Sequence, residues 1–204
     1  MEENPFSILS NFINKLSGGD DIMSNDEEII TDNMRRTMEF EGGHKKNVYL
    51  DTEGYPTIGY GHVLDTLKYD TLPEKYKDVE WSKQEGLSTF LEDYIEKEER
   101  TARKFGKENY ENLPEGAQAI LVDLVFNMGA KKLFDKFPGF IKDLKAGNYK
   151  EAAKELRYKN PDKGNMDMSL WWDQVGGDTT EEKNLLRSGN RATSTYDILM
   201  SLGD

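Results

Sequence analysis

Cysteine is absent from the 204 residues, which excludes a disulfide framework, a thiolate zinc site and catalysis by a cysteine nucleophile. The chain has two histidines, His44 and His62, and no His-x-x-x-His pair, so a histidine-held catalytic zinc, with the amidase or metallopeptidase chemistry it would bring, has little support. No apolar run approaches the roughly 18 residues of a membrane helix, and no transmembrane segment is expected. The start, Met1-Glu2-Glu3-Asn4-Pro5, has acids where a Sec signal carries basic residues. Basic charge is scarce as well: 27 Lys and Arg against 39 Asp and Glu leave a formal net charge of −12. That balance repels phosphate backbones, and the basic patches are as short as Arg35-Arg36 and Lys45-Lys46, so nucleic acid is not an expected partner.

The length suits one globular unit with a tail. Near the start Glu2, Glu3, Asp20, Asp21, Asp26, Glu27 and Glu28 face only Lys15, an asymmetry that sets residues 1–25 apart from a body over 26–204. Asn4 caps and Pro5 opens a short amphipathic helix, with Phe6, Leu9, Phe12, Ile13 and Leu16 at spacings of three and four until Gly18-Gly19. Its apolar stripe has three readings: packing on the body, docking to a virion or other protein through residues 4–18, or lying on a membrane surface. A longer helix is expected from Asn25 to Glu41, because Ile30, Met34, Thr37 and Glu41 share one stripe and Gly42-Gly43 breaks it. From Asn47 to Leu64, β-branched and aromatic residues punctuated by glycine predict a small antiparallel sheet, with Pro56 at an edge or a strand start. Ser82 and Glu85 form a capping box that opens a helix running to Gly106, long enough to connect two lobes. Pro114 opens a core helix to Met128, and shorter helices follow at 139–146 and 149–157. Residues 158–169 and 176–180 read as loops, and Arg191 to Leu202 as the last helix.

Glu41 leaves the buried side of a helix, and ten positions later Asp51 sits in a β-turn. Glycoside cleavage needs two carboxylates in unlike environments: one protonated to give its proton to the leaving oxygen, the other ionised. Glu41 beside Met34 and Met38 suits the first role, and Asp51 in a polar turn the second, although a solvated helix end and a turn-forming aspartate produce the same pattern.

The surrounding residues add weight. Glu41-Gly42, Tyr49, Asp51, Gly54 and Thr57-Ile58-Gly59-Tyr60-Gly61-His62 together resemble the catalytic signature of the phage-type lysozymes and endolysins, glycoside hydrolase family 24. Val125-Phe126-Asn127-Met128-Gly129, Tyr149-Lys150-Glu151-Ala152-Ala153, Trp171-Trp172-Asp173-Gln174 and Asn190-Arg191-Ala192 resemble later segments of that family. The resemblance covers residues 26–204 and is densest from 41 to 64.

It implies an α+β, lysozyme-like fold, with a small antiparallel sheet lobe, a larger helical lobe and a cleft between them. It implies Glu41 as general acid, Asp51 as the carboxylate that orients water or stabilises the cationic transition state, and Thr57 as the hydroxyl that holds the water, a set that goes with inversion at the anomeric carbon. Val63, Phe126 and Asn127 match cleft-lining positions, although core packing explains Phe126 equally well. His62 matches a structural, salt-bridged residue, and Arg191 an arginine beside the catalytic glutamate. His44 is expected to lie exposed in its loop. Trp171 and Trp172 are sugar platforms or core residues. The spacing from Glu41 to Asp51 is one residue longer than the family pattern, with the extra residue within Gly42 to Asn47.

The implied activity is hydrolysis of the β-1,4 bond between N-acetylmuramic acid and N-acetylglucosamine in peptidoglycan glycan strands, with no metal and no cofactor. The implied setting is phage-mediated wall degradation, from the host cytoplasm at lysis or from the virion. A lytic transglycosylase, a chitin-directed hydrolase and a non-catalytic wall-binding or virion structural module are the alternatives.

Overall fold

The computed structural model describes residues 30–175 and 190–203; the helix expected over residues 4–18 and the loop expected at 176–180 lie outside them. Within them the chain divides into two compact units, with the boundary between Glu96 and Lys97.

In the first unit, helix α1 (Asp32–Phe40) is capped by Thr31, whose hydroxyl accepts the Met34 amide at 3.2 Å. This corrects the expected start at Asn25: Ile30 and Thr31 precede the helix, because a capping residue takes extended backbone angles, here φ −73 and ψ 163. Ile30, Met34 and Thr37 are buried as one stripe. The helix closes on Glu41, and Gly42 and Gly43, at φ 85 and 70, turn the chain into strand β1 (Lys45–Leu50). Strands β2 (Pro56–Gly59) and β3 (His62–Val63) follow, giving an antiparallel sheet in sequence order with β2 central and buried along its length. Pro56 stands at the start of β2, the place where its missing N–H costs the ladder least.

Helix α2 (Lys83–Phe105) opens with the expected capping box: the Ser82 amide donates to Glu85 Oε2 at 2.7 Å and the Glu85 amide to Ser82 Oγ at 3.2 Å. Its first turns pack on the sheet through two glycines, since a side chain at Gly59 would come within 3.4 Å of the Gly86 Cα. Tyr60, Phe90 and Tyr94 then continue the core ring to ring, at centroid distances of 5.8 and 5.9 Å.

The second unit takes the remainder of α2 and adds α3 (Lys107–Glu111), α4 (Glu115–Met128), α5 (Ala130–Lys136), α6 (Pro138–Lys145), α7 (Tyr149–Arg157), α8 (Leu170–Gln174) and α9 (Arg191–Leu202). Helix α4 is apolar on nearly every side, and Ile120, Leu121, Val122 and Leu124 are fully buried, as a central helix requires. It packs against α5 and α9, while α7 packs against α6 and α9.

Residues 158–169, expected as loop, instead form a hairpin of β4 (Tyr158–Asn160) and β5 (Asn165–Met168) around a short 3-10 turn. The turn signals Asn160-Pro161 and Gly164 belong to its tip. Its strands are largely exposed, so they carry no apolar alternation to betray them. The two tryptophans resolve as core: Trp171 is 3% and Trp172 1% exposed. The fold is thus the expected α+β class.

Candidate active site

Glu41 is the C-cap of α1 and half-buried, its amide bonded to the Thr37 carbonyl at 3.0 Å. Its carboxylate lies over the β2–β3 turn: a methyl group built on Gly61 would stand 2.9 Å from Glu41 Oε2. Gly61 also sits at φ +87, so close approach and left-handed backbone both call for glycine at this position.

Asp51 follows β1 in a turn that it organises itself. Its Oδ1 accepts the amides of Glu53 at 2.8 Å and Tyr55 at 2.9 Å, its own amide donates to the Tyr55 carbonyl at 3.0 Å, and its carbonyl accepts Gly54 at 3.0 Å. Both of these side-chain bonds fall on Oδ1. Thr57, 3% exposed on β2, donates its hydroxyl proton to the Tyr55 carbonyl at 3.0 Å.

The sheet register aligns Tyr49, Thr57 and Val63 as one cross-strand row, and paired residues of antiparallel strands project to the same face. Burial pushes the Tyr49 phenol up, and the nearby carboxylates of Glu41 and then Asp51 push it further. Tyr49 therefore shares one neighbourhood with both acids and stays protonated. The extra length between Glu41 and Asp51 coincides with an irregularity in β1: four steps from Lys45 to Tyr49 face two from Gly59 to Thr57. The strand bulges there, and the Tyr49–Thr57 register beyond it is intact.

His62 Nδ1 meets Asp93 Oδ2 on α2 at 2.9 Å, with the Trp81 ring 5.5 Å away; it holds the sheet to the helix. Val63 is 44% exposed beside Thr57. His44 departs from the expected free loop residue. It is half-buried, its Nε2 is 3.1 Å from the Ser82 carbonyl, its ring is 5.5 Å from Tyr60, and a side chain on Gly86 would reach within 2.7 Å of it. The glycine on α2 makes the room that draws it in.

The other expected site residues belong to the second unit. Phe126 is half-buried under the Lys97 ammonium, 4.2 Å from its ring centre. Asn127 is exposed, and its Oδ1 accepts the Trp171 indole N–H at 2.9 Å. Arg191, 7% exposed, forms an ion pair at 3.2 Å with the fully buried Asp123. Among the described residues no cluster of three or more His, Asp or Glu could hold a metal ion, and no helix is long and apolar enough to cross a membrane.

Residues 38–170 match the family model described as phage lysozyme. The chain belongs to the phage lysozyme family. This lysozyme-family chain is also similar to two proteins of Dictyostelium discoideum. It is 29% identical over 153 residues to "Probable T4-type lysozyme 1", covering 65% of the chain and 89% of the relative. Against "Probable T4-type lysozyme 2" it is 29% identical over 139 residues, 61% of the chain and 81% of the relative. Family and relatives together support a muramidase-type peptidoglycan hydrolase.

Two participants escape a reading by residue type. Tyr49 belongs to the signature quoted above, but its place near both carboxylates is not marked by its residue type. Gly61 stands in the signature with no role of its own there; its closeness to Glu41 belongs to the folded chain.

Proposed function

We propose that this protein hydrolyses the β-1,4 bond between N-acetylmuramic acid and N-acetylglucosamine of peptidoglycan, with Glu41 as the general acid and Asp51 and Thr57 handling the attacking water. One observation carries the reading. Thr57 has given its only hydroxyl proton to the Tyr55 carbonyl, and Asp51 has filled Oδ1 with two amides. Both side chains consequently offer acceptor lone pairs. A water that donates one hydrogen to each has its own lone pair left to attack the anomeric carbon, and Asp51 takes the proton as the bond forms. Glu41 protonates the departing oxygen. Water attack on the face opposite the leaving group gives inversion.

A zymogram on purified walls with the wild type beside Glu41→Gln tests the acid: we expect a clear band for the first and a loss of about 10²–10⁴-fold for the second. Equal clearing by both would remove Glu41 from the mechanism. Proton NMR of the first-formed reducing end, showing the α anomer, checks the water step. Anhydro-muramic products by mass spectrometry would instead mark a lytic transglycosylase. For the setting we propose phage-mediated degradation of the bacterial wall, at lysis or from the virion, supported by the family's description; the two relatives above are Dictyostelium proteins.

A further inference from the structure

Between β3 and α2 the chain runs through residues 64–82 with no regular structure apart from a short 3-10 turn at Glu74–Tyr76 and one bridge from Glu80 to Asn47. Connections of that length within a compact unit are uncommon unless they have work to do, and the mechanism above uses none of this one. Its centre is Asp65. Just before it, Leu64 extends the β2–β3 pairing by donating its amide to the Pro56 carbonyl at 2.8 Å, so the loop starts fixed to the sheet. The Asp65 carboxylate, 16% exposed, then takes four donors. Its Oδ1 accepts the Leu67 amide at 3.0 Å, and its Oδ2 accepts the Tyr69 hydroxyl at 2.8 Å, the Tyr76 hydroxyl at 2.9 Å and the Lys75 ammonium at 3.0 Å. These bonds, the one from Tyr69 foremost, hold its carboxyl well below the usual carboxylate range. Hydrogen bonds to an ionised acceptor are the stronger class, and this hub stays ionised into strong acid.

The hub gathers the loop against the turn that carries Asp51. The Tyr69 amide donates to the Gly54 carbonyl at 2.9 Å. The approach is close: a side chain at Gly54 would meet the Tyr69 carbonyl oxygen at 3.0 Å, in backbone at φ +90. Gly54 stands between Glu53 and Tyr55, whose amides are the two donors to Asp51 Oδ1. Lys68 adds an ion pair with Glu53 at 3.1 Å and lies 4.9 Å from the centre of the Tyr55 ring. Both members of that pair are exposed and salt screens them, so the Tyr69–Gly54 contact bears the larger share.

We propose that Asp65 is a positioning residue for Asp51. It fixes Tyr69, Tyr69 fixes Gly54, and the turn is thereby held with both amides on the Asp51 carboxylate. The turn's own bonds, from the Asp51 amide to the Tyr55 carbonyl and from the Gly54 amide to the Asp51 carbonyl, are local, and Thr52 and Glu53 are exposed. The loop braces it from outside. Such a brace matters because a displacement of about 1 Å at a reacting group can cost about a hundredfold in rate. The effect on rate rests on the hydrolase reading of Asp51; the link from Asp65 to the turn does not.

The test compares three variants of the full chain. Asp65→Ala removes the hub, and the milder Tyr69→Phe keeps the ring and removes only the hydroxyl bonded to Asp65. Tyr110→Phe, which removes a hydroxyl bond to the buried Glu98 in the second unit, controls for lost stability. Hydrogen exchange at the Tyr55 amide is read by NMR, and kcat and KM are measured on soluble peptidoglycan fragments. In Asp65→Ala we expect exchange at Tyr55 about tenfold faster, kcat about ten- to a hundredfold lower and KM within about twofold of wild type. Tyr69→Phe moves exchange and kcat in the same directions by less, and Tyr110→Phe moves neither. Unchanged exchange at Tyr55 in folded Asp65→Ala and Tyr69→Phe would overturn the proposal, as would an equal change in Tyr110→Phe or a rise in KM at constant kcat. Exchange is read without catalysis, so an inactive wild type would count against the hydrolase reading while faster exchange in the variants still supported the brace.

Discussion

Thr57 illustrates how one hydrogen bears on a proposed role. Bonded to the Tyr55 carbonyl, the hydroxyl is an acceptor toward anything in front of it, and the same turn that supplies this carbonyl supplies the amides that fix Asp51. Gly61 is as specific. Alanine there meets Glu41 Oε2 at 2.9 Å in backbone at φ +87, a conformation that costs about 1–3 kcal/mol with a side chain. Gly61→Ala is therefore expected to lower Tm by several degrees and to cut kcat at least tenfold by displacing the acid, measured by calorimetry and by release of reducing ends; wild-type kcat would dismiss the contact.

Glu98 behaves differently because it is buried, 8% exposed, with the Tyr110 hydroxyl donating to it at 3.0 Å. Burial outweighs that bond and raises its proton affinity in the fold, with Glu99 adding to the shift. The raised value means that its stabilising contribution is complete below the unfolded glutamate value near pH ~4.3 and is lost as pH rises through the folded one. Glu98→Gln keeps an acceptor for Tyr110 and has nothing to ionise. Its Tm relative to wild type should climb between about pH 4 and 7, by roughly 2–4 °C for each kcal/mol removed. A flat difference across that range would contradict the assignment.

Among elements, the joint between the sheet and the first turns of α2 positions the acids. It uses close packing of Gly59 and Gly86, the His44 ring set on Gly86, and the His62–Asp93 pair, whose side chains are 32% and 18% exposed. None of these residues touches the attacking water in the proposed mechanism. Their work is to hold β2, and with it Thr57, beside the end of α1. A double-mutant cycle of His62→Ala and Asp93→Ala read by urea unfolding should give a coupling of about 1 kcal/mol, with kcat falling in both single variants. A coupling of zero would mean that the pair is incidental to the joint.

The whole molecule has two cores, and the second is organised around a charge. Asp123 is fully buried on α4 and Arg191, at the start of α9, is 7% exposed, so their 3.2 Å pair joins segments 68 residues apart. Removing one member of such a pair strands the other: Asp123→Ala should cost about 3 kcal/mol, read as a fall in Tm of roughly 6–12 °C. A change within a degree would show that Arg191 needs no such partner. Much of this architecture is legible along the chain. The Ser82–Glu85 box, Pro114 and the break at Gly42-Gly43 mark helix ends through capping and backbone chemistry that act within a few residues. The β4–β5 hairpin was not, because its strands bury too little to be patterned. His44 looked free because the space that receives it belongs to Gly86, 42 positions away. The sequence by itself determined that the candidate site residues Glu41, Asp51 and Thr57 lie within 17 positions of one another, and the turns between them follow from local glycine, proline and aspartate preferences. Only the tertiary structure decided that Gly61 lies under the Glu41 carboxylate, that Tyr49 stands near the carboxylates of Glu41 and Asp51, and that Asp123 receives Arg191. Those outcomes depend on which distant surfaces bury each other, and a hydrophobic or electrostatic contact across tens of residues leaves no period or motif in the segments it joins.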